Sequence, residues 1–242
     1  MIIPVLTTAC SRPLSILDPA GVAATEAASI WWGLFAFFTL VFCGVVAAWI
    51  HALRRPPDGH LSEPQLHRVD SPQTQRRHRA TIVGGGVLLP LISITTLLVL
   101  GIPAGNRMAG LGIDLDQALQ IEITGHQWWW EVRYPDPADP MAPPVLVLRD
   151  TLHIPAGTPV RLRLSSADVI HSFWVPRLGQ KLDMIPGHIN ELFLQTDEPG
   201  VYPGVCAEFC GLGHAHMKFS VHVHTPEDFV TWQNTAGIGG SN

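Results

Sequence analysis

Two long stretches without a charged side chain dominate this sequence, Ala27 to Ile50 and Ala80 to Asn106. Each holds the roughly 20 apolar residues that cross a bilayer as a helix. Buried helices of a soluble core are the alternative, but both runs exceed the length of roughly 18 residues at which a membrane span is the better reading. The chain as a whole is 47% hydrophobic and only 14% charged, an excess that these two stretches supply. Gly84, Gly85, Gly86 and Pro90 in the second run are tolerated in membrane helices. A transmembrane hairpin over residues 27–103 is therefore expected, with Cys43 serving mid-span as a small apolar packing residue.

The connection between the spans, residues 51–79, carries Arg54, Arg55, Arg68, Arg76, Arg77 and Arg79 against Asp58, Glu63 and Asp70. An excess of arginine marks a cytoplasmic loop, so the N-terminus and everything after the second span face outward, into the periplasm of a Gram-negative cell. Residues 1–26 form an extracytoplasmic segment that lacks a basic leader region. The stretch Thr7-Thr8-Ala9-Cys10 has the look of a lipoprotein signal remnant with Cys10 as the acylated residue.

After Pro103 the pattern changes to short alternating runs broken by Pro and Gly, the mark of an antiparallel sandwich or barrel over residues 104–242. Strands are expected at 119–124, 128–134, 145–148, 151–154, 159–165, 169–175, 189–195, 201–205 and 218–224. In VRLRLSS the alternation is strict, turning Val160, Leu162 and Leu164 inward and Arg161 and Arg163 outward. A short helix with proline in its first turn is expected over 226–233. The fold class is thus an α+β membrane protein, a two-helix hairpin followed by an all-β sandwich. This outer part has eight Lys and Arg against fifteen Asp and Glu, a net charge of minus seven. That balance argues against nucleic acid and for a basic protein partner.

Within it the segment Cys206-Ala-Glu-Phe-Cys210-Gly-Leu-Gly-His214-Ala-His216-Met217 gathers two thiols, imidazoles and a thioether. Thiolate and thioether favour copper, and imidazole serves copper and zinc alike. Gly211 and Gly213 supply the tight turn that lets two thiolates close on one loop. A disulfide between Cys206 and Cys210 is a serious rival in an oxidising compartment. It has no use for the neighbouring imidazole and thioether, however, and zinc seldom takes methionine. A second imidazole would come from far upstream, with His171 in an apolar stretch the candidate. His126, His153, His188, His216, His222 and His224 compete for the role. His222 and His224 alternate on one strand and read as a solvent face, while only position separates His216 from His214.

Three blocks, GHQWWWEVRYP, DVIHSFWVPRLGQKLDMIPGHIN and PGVCAEFCGLGHAHM, make residues 27–233 resemble subunit II of haem-copper cytochrome c oxidases. The resemblance implies a cupredoxin-like outer domain holding CuA, two coppers bridged by Cys206 and Cys210. His171 and His214 would each serve one copper, Met217 would be a weak axial ligand, and the main-chain carbonyl of Glu208 would serve the other copper. It settles His214 over His216. It also implies that Trp128 receives electrons from cytochrome c, with Glu131, Asp136, Asp139, Asp150 and Asp168 as candidate docking acids. The Glu208 carboxylate would face a magnesium or manganese ion shared with subunit I, and subunit III and membrane lipid complete the surroundings. The location implied is a bacterial inner membrane.

The sequence departs from many relatives in one respect, since no acidic residue lies between Asp70 and Asp114. A proton-entrance glutamate at the start of the second span is therefore not carried over. A copper chaperone of the Sco type also pairs C-x3-C with a distant histidine, but such proteins need βαβ units that this pattern lacks. A quinol oxidase subunit of the same fold would lack the cysteines. Neither span offers a haem-ligating arrangement, so the oxygen chemistry is expected in a partner chain.

Overall fold

Val160, Leu162 and Leu164 are fully buried, while Arg161 and Arg163 between them reach out to Glu191 and Glu122, each at 2.6 Å. This one strand contains the plan of the outer domain: one face against apolar neighbours, the other against water and charge. Each such aliphatic side chain contributes about 1.5–3 kcal/mol by leaving water. A computed structural model describes residues 13–54, 72–110, 118–136 and 143–236. It divides into two compact units, Met1–Ser29 with Gly105–Asn242, and Ile30–Ala104. Cys10 and Asp139 lie outside the described residues.

Among the described residues of the first unit, ten strands form two five-stranded sheets. One has the order β3 (Leu146–Arg149), β2 (Trp129–Tyr134), β1 (Leu119–His126), β5 (Val160–Ser166), β8 (Asn190–Leu194). The other runs β4 (Thr151–Pro155), β10 (Lys218–His224), β9 (Gly200–Cys206), β6 (His171–Trp174), β7 (Leu182–Met184). The inner faces meet around Trp130 of the first sheet, whose ring lies 5.9 Å from Phe173 and 5.0 Å from Phe219 of the second. Such aromatic contacts add about 0.5–1.5 kcal/mol each beyond burial. Tyr134 ties the sheets at a polar point, its hydroxyl donating to the His153 carbonyl and accepting from the His153 N–H, both at 2.8 Å.

The expected antiparallel sandwich is corrected in one respect: β1 pairs with β5, and β10 with β4, in parallel. Alternation of polar and apolar residues reports which face is buried but not which way a neighbour runs. Further differences are local. The strand expected from Val169 begins only at His171, because Asp168 turns the chain by accepting the Val169 N–H at 2.7 Å. The strand expected from Trp128 begins at Trp129, and β7 is a three-residue strand that no alternation signals. His222 and His224 are not a bare solvent face, since the final helix α4 (Pro226–Ala236) brings Trp232 to within 5.9 Å of the His224 ring and both histidines are half-buried.

The first unit also includes a strap ahead of the first helix. Ala20 and Gly21 donate their N–H groups to the Arg177 carbonyl at 2.8 and 3.0 Å, and Thr196 donates its hydroxyl to the Ala20 carbonyl at 2.7 Å. A β-carbon on Gly21 would meet the Leu178 carbonyl oxygen at 2.0 Å, so only glycine fits there.

The second unit belongs to two long apolar helical stretches. The first, α1, runs Val22–Leu53; the second comprises α2 (Pro72–Val83), a π-turn (Gly84–Leu88) and α3 (Leu89–Met108). Pro90 has no N–H, and just ahead of it the Leu89 N–H reaches five residues back to the Gly84 carbonyl, where the three glycines crowd nothing. In α1 the most apolar eighteen-residue stretch is 0% buried by its own chain, and Cys43 lies exposed along the helix. An apolar surface of that extent left uncovered by its own chain is unsuited to water and suited to a membrane.

Candidate metal centre

The register of the second sheet brings together residues far apart in sequence. β6 and β9 are antiparallel with Phe173 opposite Cys206, so the start of β6 and the end of β9 share one end of the sandwich. His171 opens β6, Cys206 closes β9, and Met217 immediately precedes β10. Between the last two, the loop carries Cys210 and a 3-10 turn over His214–His216.

The sulfurs of Cys206 and Cys210 lie 3.8 Å apart, adjacent but not bonded to each other. His171 Nδ1 is 3.9 Å from the Cys206 sulfur and His214 Nδ1 is 3.6 Å from the Cys210 sulfur. Met217 Sδ is 3.8 Å from the Cys210 sulfur. Two donors bound to one ion at about 2.1–2.3 Å and near-tetrahedral angles lie roughly 3.6–3.8 Å apart, so these separations suit a shared metal. His171, Cys206 and Cys210 are buried and close enough together to hold an ion, and Met217 is buried beside them. The main-chain oxygen of Glu208 lies 3.2 Å from the Cys206 sulfur, while the Glu208 side chain is exposed. His216 and His188 are also exposed, and His126 stacks on Trp129 at 4.2 Å, so none of the three joins the cluster.

The electrostatics favour a thiolate. Burial raises the Cys206 thiol, but hydrogen bonds from His171 and the backbone at Ser172 and Glu208 outweigh it and bring it down to about 6. Burial and then the adjacent Cys206 charge push Cys210 up to about 12. A cation placed between them would relieve that repulsion and hold both as thiolates. Burial opposes charge on His171, and hydrogen bonds with Cys206 and Asp168 more than offset it, raising its pKa.

Three residues that the metal motif does not contain support the candidate ligands. Asp168 Oδ1 is 2.8 Å from His171 Nε2, and its Oδ2 accepts the Gln127 N–H at 2.7 Å. The Gln127 side-chain amide and the Trp128 indole N–H both donate to the Cys210 carbonyl, at 2.8 and 3.2 Å. The spacing of Asp168 three residues before His171 was the available signal for the first contact; nothing local signals Gln127. Asp168 was expected among docking acids, yet both its oxygens are engaged at the site. Glu131 pairs with Arg133 at 2.6 Å, and Asp150 accepts the Trp130 N–H at 2.8 Å.

The three successive tryptophans separate by environment. Trp130 is core, Trp129 lies on the outer face under the Arg149 guanidinium at 4.7 Å, and Trp128 precedes the strand, 39% exposed. Its ring rests on the loop at Gly211 and Gly213, where a β-carbon would come within 3.2 and 2.4 Å of it. Gly211 also holds φ of +116°, a conformation that favours glycine.

A two-sheet sandwich that gathers candidate metal ligands from β6, β9 and the β9–β10 loop at one end, in a chain with two helices long and apolar enough to cross a membrane, has the architecture of the cupredoxin-like class. The family model for the periplasmic domain of cytochrome c oxidase subunit II matches residues 138–224. Cytochrome c oxidase subunit 2 of Rhipicephalus sanguineus is 32% identical over 163 residues, covering 62% of this chain and 72% of the relative. The chain belongs to the cytochrome c oxidase subunit II family. The protein of that name from Alkalihalophilus pseudofirmus is 40% identical over 148 residues, 60% of this chain. The chain spans less than two thirds of the length of such bacterial relatives, 41% in that case. The periplasmic domain of subunit II of cytochrome oxidase from Bradyrhizobium japonicum has a TM-score of 0.44 and 31% identity, covering 49% of this chain and 92% of that one.

Proposed function

We propose that this chain is the electron-transfer subunit of an aerobic terminal oxidase, taking single electrons from a c-type cytochrome at a dinuclear copper centre and delivering them to haem in subunit I, where oxygen is reduced to water. The observation that carries the reading is the buried, unbonded thiol pair with an imidazole beside each sulfur. In this reading Cys206, Cys210, His171, His214, Met217 and the Glu208 carbonyl are the residues that would hold the coppers. Such a pair, when bound, spreads one electron over two ions and two sulfurs, so bonds change little on reduction and transfer is fast.

The protein's own part is positioning. His171 is held by Asp168, and an outer carboxylate of this kind fixes the ring's orientation. In this reading Trp128, exposed and hydrogen-bonded to the Cys210 carbonyl, receives an electron at the surface and hands it to the loop. The net negative outer domain favours a basic cytochrome c as donor. The exposed Glu208 carboxylate is free to turn to a magnesium or manganese ion at a contact with subunit I. The arginine-rich connection of residues 51–79 supports a bacterial inner-membrane location, that loop cytoplasmic and the copper domain periplasmic, with subunit III and lipid as further neighbours.

The test is electron paramagnetic resonance of the full chain, purified in detergent and reconstituted with copper. Hyperfine splitting from two equivalent coppers is expected. A single-copper pattern, or retention of zinc alone, overturns the proposal.

A further inference from the structure

Three histidines stand on the outer face of the second sheet, well away from the thiolates. On β10 the inward residues are Phe219, Val221 and Val223, which leaves His222 and His224 on the opposite face. On the parallel neighbour β4, His153 lies on that same face, in register with His222. Five and seven residues separate His222 and His224 from Met217, on the order of 17–23 Å along an extended strand. The reading of the copper loop uses none of them.

Their arrangement is close. His153 Nδ1 lies 2.8 Å from His224 Nε2, and the His153 ring lies 4.7 Å from that of His222. Trp232 of α4 covers His153 at 4.3 Å, nearly parallel. Two nitrogens bound to one metal at about 2.0–2.1 Å are roughly 2.9–3.4 Å apart for angles from a right angle to tetrahedral. Their present 2.8 Å separation falls just short of that range, so the two rings must part and turn slightly for an ion to replace the hydrogen bond between them. Burial, and then the neighbouring His222 and His224, lower the His153 pKa to about 4, and burial also lowers that of His224. Both shifts favour the neutral ring at His153 and His224, the state in which imidazole binds metal.

We propose that His153, His222 and His224 form a second metal site, separate from the thiolate centre, for one imidazole-preferring transition-metal ion such as Zn2+. His153 and His224 supply the first two nitrogens. His222 becomes the third by turning away from Ser220, whose hydroxyl now lies 3.1 Å from its Nε2. An all-nitrogen set without thiolate suits zinc, copper or nickel rather than magnesium or calcium. A bound ion would also fasten the edge of the sheet beneath Trp232.

The experiment dialyses the full chain, its thiolate centre already filled with copper, against Zn2+ and measures zinc per chain by elemental analysis. One zinc per chain beyond the copper is expected. His153→Gln, His224→Gln and the milder His222→Asn should each weaken binding at least tenfold, while His188→Gln, an exposed histidine elsewhere, should leave it unchanged. Circular dichroism melting checks that each variant is folded, and His222→Asn, outside the hydrogen-bonded pair, keeps the test decisive if the other two are not. Zinc bound equally by wild type and His222→Asn, or lost on His188→Gln, overturns the proposal.

Discussion

The indole of Trp128 lies so close to the backbone of Gly213 that a β-carbon on the glycine would come within 2.4 Å of the ring. Together with the hydrogen bond from the indole N–H to the Cys210 carbonyl, this makes one unit of the exposed ring and the metal loop.

Replacing Gly213 by alanine should therefore push the indole off the loop while leaving every metal ligand in place. Trp128→Phe removes the N–H donor by a different route. In both variants the copper spectrum is expected to be intact and reduction by cytochrome c slowed at least tenfold, about 1.4 kcal/mol in barrier. Stopped-flow reduction beside the spectrum measures this, and equal rates in both variants would remove Trp128 from the electron path.

Asp168→Asn keeps the shape at His171 Nε2 but removes the charge. Loss of an outer-shell carboxylate of this kind costs about 10–100-fold in metal affinity. Copper retention against a chelator should fall by that factor, with the β-sandwich melting nearly unchanged.

Leu162 and Arg161 are adjacent on β5 and face opposite ways. Leu162→Ala should destabilise the fold by about 2–5 kcal/mol, since the side chain is wholly buried. Arg161→Ala loses only a surface pair with Glu191 and should cost about 0–1 kcal/mol. Denaturant melts of the two variants compare the faces directly.

His153 predicts an acid limit for the metal-free chain. Burial first, then His222 and His224, hold its folded pKa at about 4, below the ordinary histidine value of 6.5. The unfolded chain thus binds the proton more readily, and stability is retained above about pH 6.5 and lost as pH falls toward 4. The ring is only half-buried, so solvent screening reduces the loss to the order of 1–2 kcal/mol. Thermal melts with chelator present should show this fall, and His153→Asn should flatten it.

Much of this was readable along the chain. Two uncharged apolar runs of that length read as helices long enough to cross a bilayer, and the described helices over both have that length and apolar character. Strict alternation at Val160, Leu162 and Leu164 states which face is buried, since side chains on a strand change sides at every residue. The candidate ligands of the loop from Cys206 to Met217 stand out in the sequence because soft donors so close together have few other uses.

What the sequence by itself determined is this local chemistry: which residues are apolar on which face, which donors stand within one loop, and which segments suit lipid. Only the tertiary structure decided that β1 joins β5 and β10 joins β4 in parallel, because alternation carries no strand direction. It alone brought His171 to a loop thirty-five residues away, set Asp168 and Gln127 behind the ligands, and gathered His153 with His222 and His224. Those relationships follow from strand register, a property of pairs of segments that no single segment contains.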